Sequence, residues 1–387
     1  MAIDWNPSSG PTLGIEWEVQ LIDAQTRMLR QDAGMVLASL QGLQESGEHP
    51  KMKHELMQST VEVVTGVCGT VAEAKADLAA TMKELQRTAE PHGIVLAGAG
   101  THPLSDWRDA KMAPSQRYTE LVEQLQWTAR RLQTMATHVH VGLRDADRAM
   151  PIINALATYL PHLLGLTASS PFWSGIDTGL ASTRSVVFGA LPNTGPPPGL
   201  PDWKSFEEYM DVQLRAGTVR TIKEVWWDVR PHPDFGTVEI RIADAVPTFR
   251  EIGMLAALAQ CLVQLLDTQL DRGYQLPCRP TWVVNDNKWR ATRYGLDAMV
   301  ITEDTGATAP LRDEIYELLR DLEPVAWRLG CVEELAVASE VLECGASYER
   351  QRAAHAADGD LRSVVDALVT EFAEDRFVLH GDGGHGG

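Results

Sequence analysis

Three short stretches of this 387-residue chain alternate apolar residues with side chains that can hold metals or phosphate. In THVHVGL (137–143), Val139, Val141 and Leu143 share one face while His138 and His140 share the other. In LGIEWEVQL (13–21), Ile15, Trp17 and Val19 alternate with Glu16, Glu18 and Gln20. In GTVEIRIAD (236–244), Val238, Ile240 and Ile242 alternate with Glu239 and Arg241. Residues i and i+2 of a strand lie on one face about 6.6 Å apart, so each stretch offers two functional groups to a common surface. A fourth run, HELMQSTVEVV from His54, adds Glu55 and Glu62. Their spacing of seven breaks strand parity, so both reach the same surface only if a bulge or a helical turn intervenes.

Taken singly, an alternating E-x-E is ordinarily a solvated strand face, an H-x-H a satisfied histidine pair, and an E-x-R a surface ion pair. Together, on strands whose opposite faces are apolar, they describe one crowded polar surface. Carboxylates packed this closely raise one another's pKa unless a cation neutralises them. Mg2+ or Mn2+ suits such oxygen donors and keeps positions open for water or phosphate. A guanidinium at Arg241 could then grip a phosphate with two hydrogen bonds. No G-x-x-x-x-G-K-[ST] loop is present to suggest a P-loop enzyme.

The elements that must position these residues read as a mixture. Strands are predicted over 12–22, 53–65, 93–98, 136–143, 185–189, 224–230 and 236–244. Capping boxes predict helix starts at Thr70 with Glu73, Ser205 with Glu208 and Thr248 with Glu251, and helix dominates from about residue 248. NTGPPPGLP (193–201) reads as a rigid surface loop inside one catalytic domain spanning 1–379, and the Gly-rich tail 380–387 as disordered. A net charge of −19 argues against nucleic-acid or anionic-membrane partners. The most apolar run, Gly253 to Leu266, is too short for a membrane span and reads as a core helix. The N-terminus shows no basic region followed by an apolar run, and the five cysteines form no C-x-x-C pair, which predicts a cytoplasmic protein with reduced thiols.

In order along the chain, GIEWE, ELMQSTVEV, AGAGTHP, THVHVG, SPFWSGIDTGLASTRS and TVEIRIAD resemble the carboxylate-amine ligase family related to glutamate-cysteine ligase. The resemblance runs from about Thr12 through the Asn287 to Gly295 run. It implies an α+β fold of the glutamine synthetase catalytic type: an antiparallel sheet curved around the active site, with helices packed on its outer face. It also implies ATP and two or three Mg2+ ions as cofactors, a homodimer, and a reaction joining the γ-carboxyl of glutamate to an amine, with cysteine the default acceptor.

Carried over by position, Glu16, Glu18, Glu55, Glu62, His138 and Glu239 resemble metal ligands, and His140 is placed for nucleotide phosphates. Arg241 resembles the arginine that meets the γ-phosphate, and Arg184 and Arg230 resemble residues holding substrate carboxylate or phosphate. Many relatives have a third Glu where this chain has Trp17, which points to the core side and should pack as an indole. Arg290 and Arg293, in NDNKWRATRYGLDA, either reach the nucleotide or belong to an exposed basic helix. Two other classes remain compatible with the residues: a guanidino-type phosphotransferase and a non-enzymatic metal-binding protein. In the latter, ligands on strands rather than in an Asp/Asn/Gly loop speak against a calcium module.

Overall fold

The structure is a computed structural model and describes residues 2–44 and 46–380. The expected disorder of the tail falls on residues 381–387, outside that range, apart from His380. Seven strands form one open antiparallel sheet: β1 (Leu13–Asp23), β2 (Met52–His54), β3 (Thr60–Val64), β4 (Ile94–Ala97), β5 (Thr137–Gly142), β6 (Val229–His232) and β7 (Thr237–Ile240). Six of them run in the order β6-β7-β5-β1-β3-β2, and β4 pairs with β1 off that path. The long central strand β1 pairs with β5 through its first half and with β4 through its second. Mixed helices and antiparallel sheet make this the α+β class that the sequence predicts.

Period-two alternation sorts the sheet into two faces. Ile15, Trp17, Val19, Val139, Val141 and Val238 are almost wholly buried on the apolar face, under helices that include Val71–Ala89, Ala149–Leu156, Phe249–Asp271 and Leu361–Glu374. Trp17 packs as expected, with ring centroids 5.0 Å from Phe249 and 5.1 Å from Phe372. Burying an aromatic ring of this size accounts for about 2–3 kcal/mol of apolar transfer energy. Segments Ala146–Thr167 and Phe249–Asp271 are each long and apolar enough to cross a membrane, but 78% of either one's most apolar window is buried inside the fold. Both are core elements. All five cysteines are free, although Cys261 and Cys331, distant in sequence, bring their sulfurs to 3.6 Å.

Several local expectations change. The run 53–65 is two antiparallel strands joined by a reversal, so neither a bulge nor a helical turn resolves the parity of Glu55 and Glu62; a hairpin does. Residues 185–189 are not a strand. Residues 185–188 lie in helix Thr183–Phe188, with Gly189 as its C-cap, and the helix starts because the Ser182 hydroxyl accepts from the Ser185 amide. The capping boxes at Thr70 and Thr248 start helices as predicted, whereas the helix expected at Ser205 begins at Trp203, because the Asp202 carboxylate accepts from the Ser205 amide. The run 224–230 is divided: Trp226–Trp227 pairs in parallel with Thr194–Gly195, at the start of the predicted surface loop, and β6 follows. Pro231 inside β6 is tolerated because β6 is an edge strand, where a missing N–H breaks no ladder.

Candidate metal and phosphate site

Register decides which polar side chains meet. Arg230, Glu239, His140 and Gly14 form one row across β6, β7, β5 and β1. In the adjoining rows His138 faces Glu16, and Glu18 faces Glu62. Nδ1 of His138 donates to Glu16 Oε2 at 3.0 Å, while Glu16 Oε1 lies 3.4 Å from His140 Nε2. That assignment leaves His138 Nε2 with a lone pair, buried and with no partner among the described residues. Glu16, His138 and Glu239 each bring a ligand atom within 4.8 Å of the others.

The electrostatics divide the carboxylates. Burial opposes ionisation of Glu16, yet the hydrogen bond from His138 and the adjacent His140 imidazole hold its pKa well below the usual range. Burial also opposes ionisation of Glu239, but the Arg230 and Arg241 guanidiniums pull it well down. Arg230 donates to both Glu239 oxygens, at 2.7 and 3.3 Å, and to the carbonyls of Val225 and Lys223 at 2.8 and 3.1 Å. Four of its five N–H donors are thereby used. Arg241 donates to Glu239 Oε1, while its Nε is buried with no partner among the described residues. Burial, with help from Arg241, lowers the His138 pKa to about 4, so its imidazole is neutral near pH 7.

A second group lies along the same face. Glu18 accepts from the Ala136 amide at 2.7 Å, but burial and the nearby Glu55 push its pKa up to about 8. Burial, then the charges of Glu16 and Glu55, raise Glu62 well above the ordinary range. Carboxyls forced upward beside others held ionised are a donor set short of positive charge. The unpartnered lone pair of His138 and the carboxylates beside it fit a hard divalent cation, and Glu16, His138 and Glu239 are the one group of three or more among the described residues whose ligand atoms lie close enough together to share an ion.

Other expected residues are placed less directly. Arg184 is buried, and its guanidinium donates to the carbonyls of Ile242 and Arg241 at 3.2 and 3.1 Å. It therefore holds the backbone that carries Arg241. Arg290 is engaged by Asp286 and the Met299 carbonyl, and Arg293 by the Gly179 carbonyl; none of these contacts joins them to the carboxylate cluster. On the helix Thr281–Tyr294 it is Lys288 that turns inward, donating to both oxygens of Asp228 at 2.9 and 2.7 Å. The carbonyl of Asp228 in turn receives the Arg241 amide. Helical periodicity could have found Lys288, since it lies four residues from the buried Val284 and Thr292. Asp244, also missed, is fully buried and accepts from the Ser169 amide and the hydroxyls of Ser170 and Ser182, tying the segment before Arg184 to the end of the VEIR strand.

The glutamate-cysteine ligase family 2 profile matches residues 12–367. The chain belongs to that family. A Thermobifida fusca protein provisionally named glutamate–cysteine ligase 2 is 62% identical over 372 residues, covering 96% of this chain and 93% of its own. A counterpart from Mycobacterium tuberculosis, provisionally given the same name, is 45% identical, covering 95% of this chain and 97% of its own. Membership makes the chain a ligase enzyme, which sets aside the phosphotransferase and the non-enzymatic metal-binding protein. Solved structures share its fold at low identity. A glutamate–cysteine ligase from Francisella tularensis in complex with AMP superposes with a TM-score of 0.69 at 11% identity, over 96% of this chain and 90% of that one. A bifunctional glutathione synthetase from Pasteurella multocida gives 0.66 at 15% identity, over 95% of this chain, which spans 52% of that enzyme.

Proposed function

We propose that this ligase couples ATP cleavage to amide formation between the γ-carboxyl of glutamate and an amine, with cysteine as the acceptor. The observation that carries the reading is the Glu16, His138 and Glu239 cluster with Arg241 beside it, on the polar face of a sheet belonging to this family. A carboxylate cannot lose oxide to an amine at neutral pH. In the proposed route a glutamate γ-carboxylate oxygen attacks the γ-phosphorus of ATP, the bond to ADP breaks, and an acyl phosphate forms. The amine nitrogen then attacks the acyl carbon, phosphate leaves, and the ammonium proton is released.

Mg2+ held at Glu16, His138 and Glu239, and at the Glu18, Glu55 and Glu62 carboxylates along the same face, would neutralise phosphate charge during transfer. Arg241, with its Nε and second terminal nitrogen uncommitted, meets the transferring phosphoryl. Arg230 keeps Glu239 ionised, and Arg184 fixes the Arg241 backbone. His140 stands on the row beside Glu239, where it contributes a polar contact to phosphate oxygen. The test combines the protein with ATP, Mg2+, glutamate and cysteine. ADP, phosphate and a γ-glutamyl product should form together, and 18O in the glutamate γ-carboxyl should appear in the phosphate. ADP release at the same rate without glutamate or amine overturns the reading.

A further inference from the structure

The loop ahead of β5 and the SPFW hairpin build a second cationic feature. Arg131 is partly buried with its guanidinium carbon over two indoles, 4.1 Å from the Trp127 ring centroid and 5.0 Å from that of Trp173. Trp107 meets Trp127 edge-on. Stacking occupies the faces of a guanidinium and leaves its N–H edge free. No side-chain or backbone acceptor among the described residues meets that edge, whereas Arg230 has four of its donors engaged. Two further buried polar atoms stand in the adjoining hairpin without partners: Trp173 Nε1 and Ser174 Oγ. Ser174 also holds a left-handed backbone, with φ of 52° beside Gly175 at 80°. Positive φ at both positions is what the two-residue turn between the paired Trp173 and Ile176 requires.

Backbone connections tie this feature to the metal-binding face. The Gly175 amide donates to the Pro103 carbonyl, and the Thr101 hydroxyl to the Phe172 carbonyl at 2.6 Å. Gln20, on the same face of β1 as Glu16 and Glu18, donates to the carbonyls of Ala99 and Thr101. Five residues after Arg131, the Ala136 amide donates to Glu18. A pre-stacked guanidinium, an indole N–H and a hydroxyl, all donors without acceptors, describe a receptor for a planar anion. The geometry points to Arg131, Trp173 and Ser174 as the subsite for the α-carboxylate of the acceptor, the contact by which cysteine would be favoured over a simple amine. This inference rests on the ligase reading above.

The test compares L-cysteine with cysteamine, which differs only in lacking the carboxylate, in wild-type protein and in Arg131→Ala, Arg131→Lys and Trp173→Phe. In Arg131→Ala the KM for cysteine should rise about 10- to 100-fold, as expected for losing a charge-assisted pair. The KM for glutamate and kcat/KM for cysteamine should stay unchanged. Arg131→Lys should recover only part of the loss, and Trp173→Phe, which keeps a ring but removes the N–H, should raise the cysteine KM more modestly. A rise in glutamate KM with cysteine unaffected assigns the carboxylate to the donor and overturns the inference, as does equal loss with cysteine and cysteamine. If the wild-type protein shows no turnover, the ligase reading itself has failed. Tryptophan fluorescence still decides the subsite: cysteine but not cysteamine should perturb wild type and leave Arg131→Ala unaffected, and identical responses in both proteins overturn it.

Discussion

At the scale of single residues, Glu239 and Arg241 separate metal seat from salt bridge. An exposed ion pair would contribute at most about 1 kcal/mol and nothing to catalysis. Here Glu239 is buried to 1% exposure with an arginine on either side, and Arg241 keeps donors in reserve. Glu239→Gln should raise the Mg2+ concentration that gives half-maximal activity, because a neutral amide is a poor ligand for a hard cation. Arg241→Lys should leave that concentration near wild type while lowering kcat by about two orders of magnitude, the cost of losing a preorganised contact to transferring charge. Initial rates across a Mg2+ series check both, and unchanged values in both variants remove this strand from the site.

At the scale of elements, the AGAGTHP segment links the central strand to the SPFW hairpin, and a buried imidazole shapes its turn. His102 Nδ1 accepts from the amides of Leu104 and Ser105, at 3.2 and 2.9 Å. An imidazolium could accept neither, and burial lowers the His102 pKa to about 3. With the folded value below the ordinary 6.5, the unfolded chain takes up the proton first as pH falls. The stability contributed by neutral His102 is therefore complete above pH 6.5 and is lost progressively between 6.5 and 3. About 2 kcal/mol of it should be gone by pH 5. Urea titrations at pH 7 and pH 5 should show a smaller drop for His102→Asn, whose side-chain oxygen can still accept an amide but does not titrate in this range. Equal drops would mean that this turn does not carry the dependence.

At the scale of the whole molecule, the helical layer is tied together by a buried ion cluster remote from the sheet's polar face. Arg350 donates to Glu371 at 2.6 Å and to Glu251 at 2.8 Å, joining helices Ser347–Asp358, Leu361–Glu374 and Phe249–Asp271. Removing the cation leaves two carboxylates buried and uncompensated, which costs about 3–5 kcal/mol. Arg350→Met should lower the urea midpoint accordingly, and Glu251→Gln with Glu371→Gln in the same chain should restore much of it. The KM for ATP should hardly change in the folded fraction, since none of these residues contacts the candidate site. A single variant as stable as wild type would show that the cluster contributes little to holding the helices together.

Much of the candidate site was legible because a strand projects residues i and i+2 on one face, whatever the rest of the chain does. Glu16 with Glu18, His138 with His140 and Glu239 with Arg241 were paired by that rule alone, and the apolar residues between them marked the buried side. Which pairs would share a row was not legible. Register between strands depends on contacts far apart in sequence, and only the folded sheet sets Glu16 against His138 and Glu239 between Arg230 and His140. The same limit explains Glu55 and Glu62, whose spacing signals a break in parity without saying that the chain reverses. It also bears on the arginines: the resemblance offered Arg184 and Arg230 as holders of substrate carboxylate or phosphate and left Arg290 between the nucleotide and an exposed helix, and only the folded chain gives each its carbonyl contacts. Arg131 shows the converse, unmarked in sequence because its two stacking partners come from Trp127 beside it and Trp173 in a distant hairpin. The sequence by itself determined the chemical inventory and the face each strand residue occupies, since both are local; tertiary structure decided which donors remain free, because that depends on every neighbour the fold brings within hydrogen-bonding reach.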